Sequence, residues 1–193
     1  MNEGGCNCGN PNHSLDNSSA STFDSDLGTS LHQYISLTSI YALNEDTLNS
    51  CQSIFKSYND RFTLLPACSS DADDCELIIH VPFTEAVKLK YISIAGGQAE
   101  TAPSSVKLFV NRNDVDFSNA HDLEPSQTLD LVNPDHHTEF VGTLDYAVKM
   151  NKFQSVSSLT LFFREFKHRT HPPTPTPTLS THTLSTLTKH TTH

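Results

Sequence analysis

From Glu76 to Phe163 apolar side chains fall on alternate positions, and this period of two constrains the fold more than any other feature of the chain. Glu76 to Val81 is a short apolar run. Val87, Leu89 and Tyr91 alternate with Lys88 and Lys90, and Val106, Leu108 and Val110 line one side of the next segment, with Phe109 on the other. Leu129 and Leu131, then Leu144, Tyr146, Val148 and Met150, then Leu159, Leu161 and Phe163 repeat the pattern. Successive side chains of a strand point to opposite faces, so each segment reads as a strand with one buried face. Between Tyr91 and Ile92 the apolar phase slips by one, which predicts a bulge or burial on both faces. Many short strands with turn signals between them predict an all-β chain, an antiparallel β-sandwich.

Ahead of this region, Leu31, Tyr34, Ile35, Ile40 and Leu43 have mixed spacing that supports short packing segments only. Thr47 is placed to cap a brief helix carrying Leu48, Cys51, Ile54 and Phe55 on one face. Ser69 to Asp74 reads as a solvated acidic loop. Composition divides the chain into three: a leader over 1–26, a body over 27–167 and a tail over 168–193. The leader of Gly, Asn, Ser and Asp has too few apolar residues to offset its ordering entropy. The tail is nearly all Thr, His, Pro, Ser and Leu, residues whose codons are rich in A, C and T, so it also reads as translated simple-repeat or intronic sequence.

The formal charge of −10 lies ahead of the tail, because Arg169 and Lys189 are the only charges from His168 onward; leader and body together carry 10 basic and 22 acidic residues, a balance of −12. That charge repels phosphate backbones and anionic lipid, so the expected partner is a protein rather than nucleic acid or a membrane. No apolar run approaches the ~20 residues that span a bilayer. The first residues lack the basic region and apolar stretch of a secretory signal. Five scattered cysteines fit reduced thiols better than a disulfide framework. Cytoplasm or nucleus is the expected location.

Several polar groups are candidates for chemistry. Cys6, Cys8 and His13 carry metal-ligand atoms, but a closed zinc site needs four ligands, and Cys-x-Cys is tighter than a zinc knuckle. His168, His171, His182, His190 and His193 in the tail suit only loose transition-metal binding, and His136 and His137 read as solvated turn residues. Asp71, Asp73, Asp74 and Glu76 lack the glycine and the ligand spacing of a calcium loop. Gly96-Gly97 lacks the lysine of a phosphate loop, and no Gly-x-Ser-x-Gly is present. No cofactor is expected, and no catalytic residue. Asn111, Arg112 and Asn113 form the most pointed cluster: past a strand end, Arg112 either offers its planar fork to a partner carboxylate or holds its own turn through Asp116 or loop carbonyls.

Val81-Pro82-Phe83-Thr84, followed by Lys107-Leu108-Phe109-Val110-Asn111-Arg112, resembles the signature of the PITH domain (proteasome-interacting thioredoxin domain) family. Ile40-x-x-Leu43-Asn44-Glu45, Ile54-Phe55-Lys56, Asp116-Phe117, Gln127-Thr128 and Lys152-Phe153 are similar to further pieces of it, with Tyr58 where the family has tryptophan. The Cys6-x-Cys8 leader with His13 is similar to those of free-standing members. The resemblance implies a jelly roll that docks, without catalysis, on the regulatory particle of the proteasome. A small-ligand or carbohydrate-binding sandwich is the alternative reading, since jelly rolls host such sites; the lack of any tryptophan weakens a sugar platform.

The resemblance fails after Phe163, where the family continues into an Ile/Tyr-rich last strand. The expectation is therefore a sandwich lacking its last strand, with the edge beside Phe162 and Phe163 left unpaired. Three lost inward side chains at ~1.5–3 kcal/mol each forfeit roughly 5–9 kcal/mol.

Overall fold

The computed structural model describes residues 29–60, 63, 65–71, 74–94, 103–132, 144–166 and 184–189. The described strands are β1 (Thr29–Ser30), β2 (Tyr41–Leu43), β3 (Leu77–Val87), β4 (Tyr91–Ile94), β5 (Pro103–Val110), β6 (Gln127–Asp130), β7 (Leu144–Ala147), β8 (Val156–Phe166) and β9 (Leu184–Lys189). They form two antiparallel sheets, one in the order β2-β3-β8-β5-β6 and one in the order β1-β9-β4-β7. The all-β sandwich expected from the alternation is the fold.

The core lies between the sheets. Leu77, Ile79, Val81 and Phe83 of β3, Leu159, Leu161 and Phe163 of β8, and Val106 and Leu108 of β5 meet Ile92 and Ile94 of β4. The slip in apolar phase at Tyr91 is the point where the chain changes sheet. Val87 ends β3 in one layer, Leu89 is tied by its N–H to the Phe153 carbonyl (3.0 Å), and Ile92 begins the inward face of the other layer. Both parities are buried in one core because they belong to two facing sheets.

Val81-Pro82-Phe83-Thr84 lies inside the 11-residue β3. Pro82 pairs with Ser158 and Val87 with Val156, so five steps along β3 match two along β8, leaving three extra residues in β3. Thr84, Glu85 and Ala86 form this exposed bulge, and Pro82 sits where the regular ladder ends, a position that tolerates the missing N–H.

Short 3-10 turns at His32–Tyr34 and Leu37–Ser39 carry the chain from one sheet to the other. On the way Leu31, Ile35 and Ile40 are driven into the core. At the opposite side the layers are joined by polar bonds: the Gln127 amide donates to the Ala147 carbonyl (3.2 Å) and accepts from the Lys149 N–H (2.7 Å). The Tyr146 hydroxyl accepts from the Val132 N–H (3.0 Å).

Thr47 does not cap the following turn. Asn49, in the left-handed region at φ 62°, precedes the 3-10 helix Ser50–Ile54, and the Glu45 carboxylate accepts the Asn49 N–H (2.6 Å), the Cys51 N–H (3.0 Å) and the Ser50 hydroxyl (3.2 Å). Three donors at a turn start are satisfied by one anion, which the helical N-terminus also favours electrostatically. Cys51, Ile54 and Phe55 are buried, while Leu48 is 83% exposed.

The expected unpaired edge beside Phe162 and Phe163 is not there. β8 runs through the middle of its sheet, between β3 and β5, and both phenylalanines are buried. The position between β1 and β4 is held by β9, drawn from the low-complexity tail.

Candidate functional site at the outer face of the five-stranded sheet

Alternation that sends Ile79, Leu161 and Leu108 inward sends Ile78, Phe162 and Phe109 outward, where a bare sheet would expose them. They are buried instead, in a second apolar cluster with Val115 and Ala120, against which Leu43, Phe117 and Leu123 pack. The cover is the connection between β5 and β6, and its sequence explains its shape. The Asp116 carboxylate accepts the Ser118 N–H (2.9 Å) and hydroxyl (2.5 Å), the Asn119 side-chain oxygen accepts the Asp116 N–H (3.0 Å), and the Asn119 amide donates to the Asp114 carbonyl (2.7 Å). These local bonds fold a turn that needs no helix and points Val115, Phe117 and Ala120 at the sheet.

Lys107 and His121 fasten the cover. The Lys107 ammonium, outward on β5, donates to the carbonyls of Ala120 (3.0 Å) and His121 (2.9 Å) and lies 5.9 Å from the Phe162 ring centre. His121 stands edge-on to Phe162 with ring centres 5.2 Å apart, and its Nε2 is 3.1 Å from Glu76 Oε2.

Asn111, Arg112 and Asn113 lie together where β5 enters the cover. Asn111 has φ 55°, a left-handed conformation that asparagine adopts more readily than other residues bearing a Cβ. Its amide donates to the Ser155 carbonyl (2.9 Å), and its side-chain oxygen accepts the N–H groups of Ser157 (2.8 Å) and Ser158 (3.2 Å) and the Ser157 hydroxyl (2.9 Å). Asn113 accepts the Ser158 hydroxyl (3.1 Å). Both asparagines therefore direct their polar atoms onto β8 and its approach.

Arg112 makes a two-point pair with Asp114, at 2.7 Å from Nε and 2.6 Å from Nη2, rather than with Asp116. The hydrogen bond that Arg112 donates to Asp114, then the Asp114 charge, raise the guanidinium pKa, and the same bond holds the carboxyl below its usual range. Both groups are open to solvent, with side chains 42% and 62% exposed.

Beneath Arg112 lies a buried polar relay absent from the sequence expectations. The Thr160 hydroxyl donates to the Arg112 carbonyl (2.7 Å), so it receives a hydrogen from His80 Nδ1 at 2.9 Å. That assigns the proton of neutral His80 to Nδ1. His80 stacks on Tyr41, ring centres 5.0 Å apart, and burial lowers its pKa. The available signal was parity: His80 shares its phase with Ile78, and Thr160 breaks the apolar row between Leu159 and Leu161 on the outward side.

Cys6, Cys8 and His13 lie outside the described residues, as do His136, His137 and the five tail histidines. Among the described residues no three His, Cys, Asp or Glu side chains come together in a metal-binding group. In the acidic loop, Asp73 also lies outside the described residues; Asp74 accepts the Glu76 N–H (3.1 Å), and the Asp71 N–H donates to the Asn44 carbonyl (3.1 Å). Cys51, Cys68 and Cys75 are free thiols. Burial first, then the Glu45 charge, push Cys51 up to about 12, and burial pushes Cys68 up to about 11.

The fold and this site define a class: an antiparallel β-sandwich module whose outer face is sealed by the loop that carries its strand-end motif. The PITH domain model matches residues 21–172. PITH domain-containing protein 1 of Dictyostelium discoideum is 34% identical over 148 residues, covering 77% of this chain and 70% of that protein. The PITH domain-containing protein CG6153 of Drosophila melanogaster is 37% identical over 134 residues, 69% of this chain and 60% of the fly protein. The human PITH domain-containing protein 1 is 33% identical over 135 residues, 70% of this chain and 61% of its own length. A solved structure of the CBM32-1 and CBM32-2 domains of Clostridium perfringens ZmpB is similar at 14% identity, with a TM-score of 0.42 over 70% of this chain and 32% of that one. The chain belongs to the PITH domain family.

Proposed function

We propose that this chain is a non-enzymatic protein-interaction module of the cytoplasm or nucleus that docks on the regulatory particle of the proteasome. The match of the PITH model to residues 21–172, nearly the whole sandwich, carries the reading. The outer-face loop supplies the contact. Its asparagines and Lys107 hold the fold, while the Arg112–Asp114 pair faces solvent at its corner. An exposed two-point ion pair is a poor source of stability, yet it presents a planar cation that can exchange its own carboxylate for a partner's. The net charge of −10 makes the encounter salt-sensitive.

Affinity capture from cell extract with the tagged full chain tests this. Regulatory-particle subunits are expected among the captured proteins, and fewer of them with Arg112→Glu. Recovery no greater than with an unrelated acidic β-sandwich overturns the reading. Equal recovery with both forms overturns the assignment of the contact to Arg112.

A further inference from the structure

β9 differs from every other strand of the sandwich. It follows β8 after 17 residues (167 to 183) and lies beyond the 21–172 stretch that the family model matches. Its pairing with β1 covers two residues, Thr29 with Lys189 and Ser30 with Thr188. Against β4 the register breaks: Ile92 stands opposite Leu187 and Ile94 opposite Leu184, so two steps along β4 take three along β9. The same residues of β4 pair with β7 in unbroken register, from Tyr91 with Ala147 to Ile94 with Leu144. β4 brings Ile92 and Ile94, two apart and buried in the core, whereas the leucines of β9 are three apart, and matching both pairs requires an extra residue.

β1 and β4 thus bound a strand-wide slot beside a core of Leu31, Ile92 and Ile94, filled by a segment whose register against β4 is broken. We propose that the slot is a peptide acceptor: an extended partner segment with aliphatic residues at alternate positions enters antiparallel to β4 in place of Leu184–Lys189. Such a segment pairs with β4 without an extra residue, and main-chain bonds to both neighbours supply the affinity of strand addition. A second copy is the poorer occupant. Its own β9 carries the same three-residue spacing, and the tethered strand competes at an effective concentration on the order of millimolar.

The test uses the full chain and two fluorescent octapeptides of identical composition, threonine and isoleucine with a terminal lysine, followed by anisotropy. One peptide spaces its isoleucines by two, the other by three. Saturable binding of the first at least tenfold tighter than of the second is expected, with slowed amide exchange at Ile92 and Ile94. Leu187→Pro, which removes a ladder N–H from β9, should tighten the first peptide at least tenfold further. No saturable binding, or equal affinity for the two spacings, overturns the proposal. Should the proline variant not fold, the two peptides on the unaltered chain decide the matter. No proteasome component enters this assay, so its outcome is separate from that of the capture experiment.

Discussion

Replacing Asn111 separates two contributions at one position. The side chain makes four hydrogen bonds, to the Ser155 carbonyl, to the N–H groups of Ser157 and Ser158, and to the Ser157 hydroxyl. Most are at the surface, where water replaces part of what is lost, so about 0.5 kcal/mol each is appropriate, the low end for a hydrogen bond. That gives roughly 2 kcal/mol. The backbone adds a second term: at φ 55° alanine carries a left-handed penalty of about 1 kcal/mol that glycine escapes. Asn111→Ala should therefore destabilise by roughly 3 kcal/mol and Asn111→Gly by roughly 2, measured as shifts in the urea midpoint at constant slope. Such a loss is a large fraction of the roughly 5–15 kcal/mol that holds a domain. An alanine variant within 0.5 kcal/mol of the parent would refute the clamp. A glycine variant no better than alanine would refute the backbone term.

Other perturbations probe the remaining elements. Phe162→Ala removes a ring sealed between sheet and cover and should cost about 3–5 kcal/mol in the same assay, whereas Leu48→Ala, at a site 83% exposed, should stay within about 0.5 kcal/mol. His80 is lowered in the native state by burial, so the unfolded chain takes up its proton first as pH falls. Its contribution is complete above the ordinary imidazole value of about 6.5 and declines below it, by at most about 1.4 kcal/mol per pH unit, until the depressed native value is reached. His80→Gln should flatten that acid limb in urea titrations between pH 7 and 4; an unchanged limb would show that His80 is not its source. Site-resolved alkylation at pH 8 should modify the part-exposed Cys75 in the native protein, slowly because burial and the Asp74 charge raise its pKa too, but the fully buried Cys51 and Cys68 only on unfolding. Arg112→Ala should leave the urea midpoint unchanged while reducing capture of regulatory-particle subunits.

β3 and β5 to β8 were legible in the sequence because a period of two is a local property, whereas the alternation over Val87, Leu89 and Tyr91 marked not one strand but the crossing from β3 to β4. Leu159, Leu161 and Phe163, or Val106 and Leu108, declare an inward face whatever they pack against. Asn111 and Arg112 were legible as a strand end, but not the bonds they make, since Ser155, Ser157 and Ser158 lie more than 40 residues away. Tertiary structure alone decided the rest. It turned a phase slip at Tyr91 into a change of sheet, and it buried Phe109 and Phe162 by folding the Asp114–Ala120 turn over them. It also joined His80 to Thr160 across a ladder 80 residues long in sequence and placed Leu184–Lys189 beside β4. A side-chain pattern records whether a residue is covered; the identity of the covering element depends on contacts between distant parts of the chain, which local periodicity does not encode.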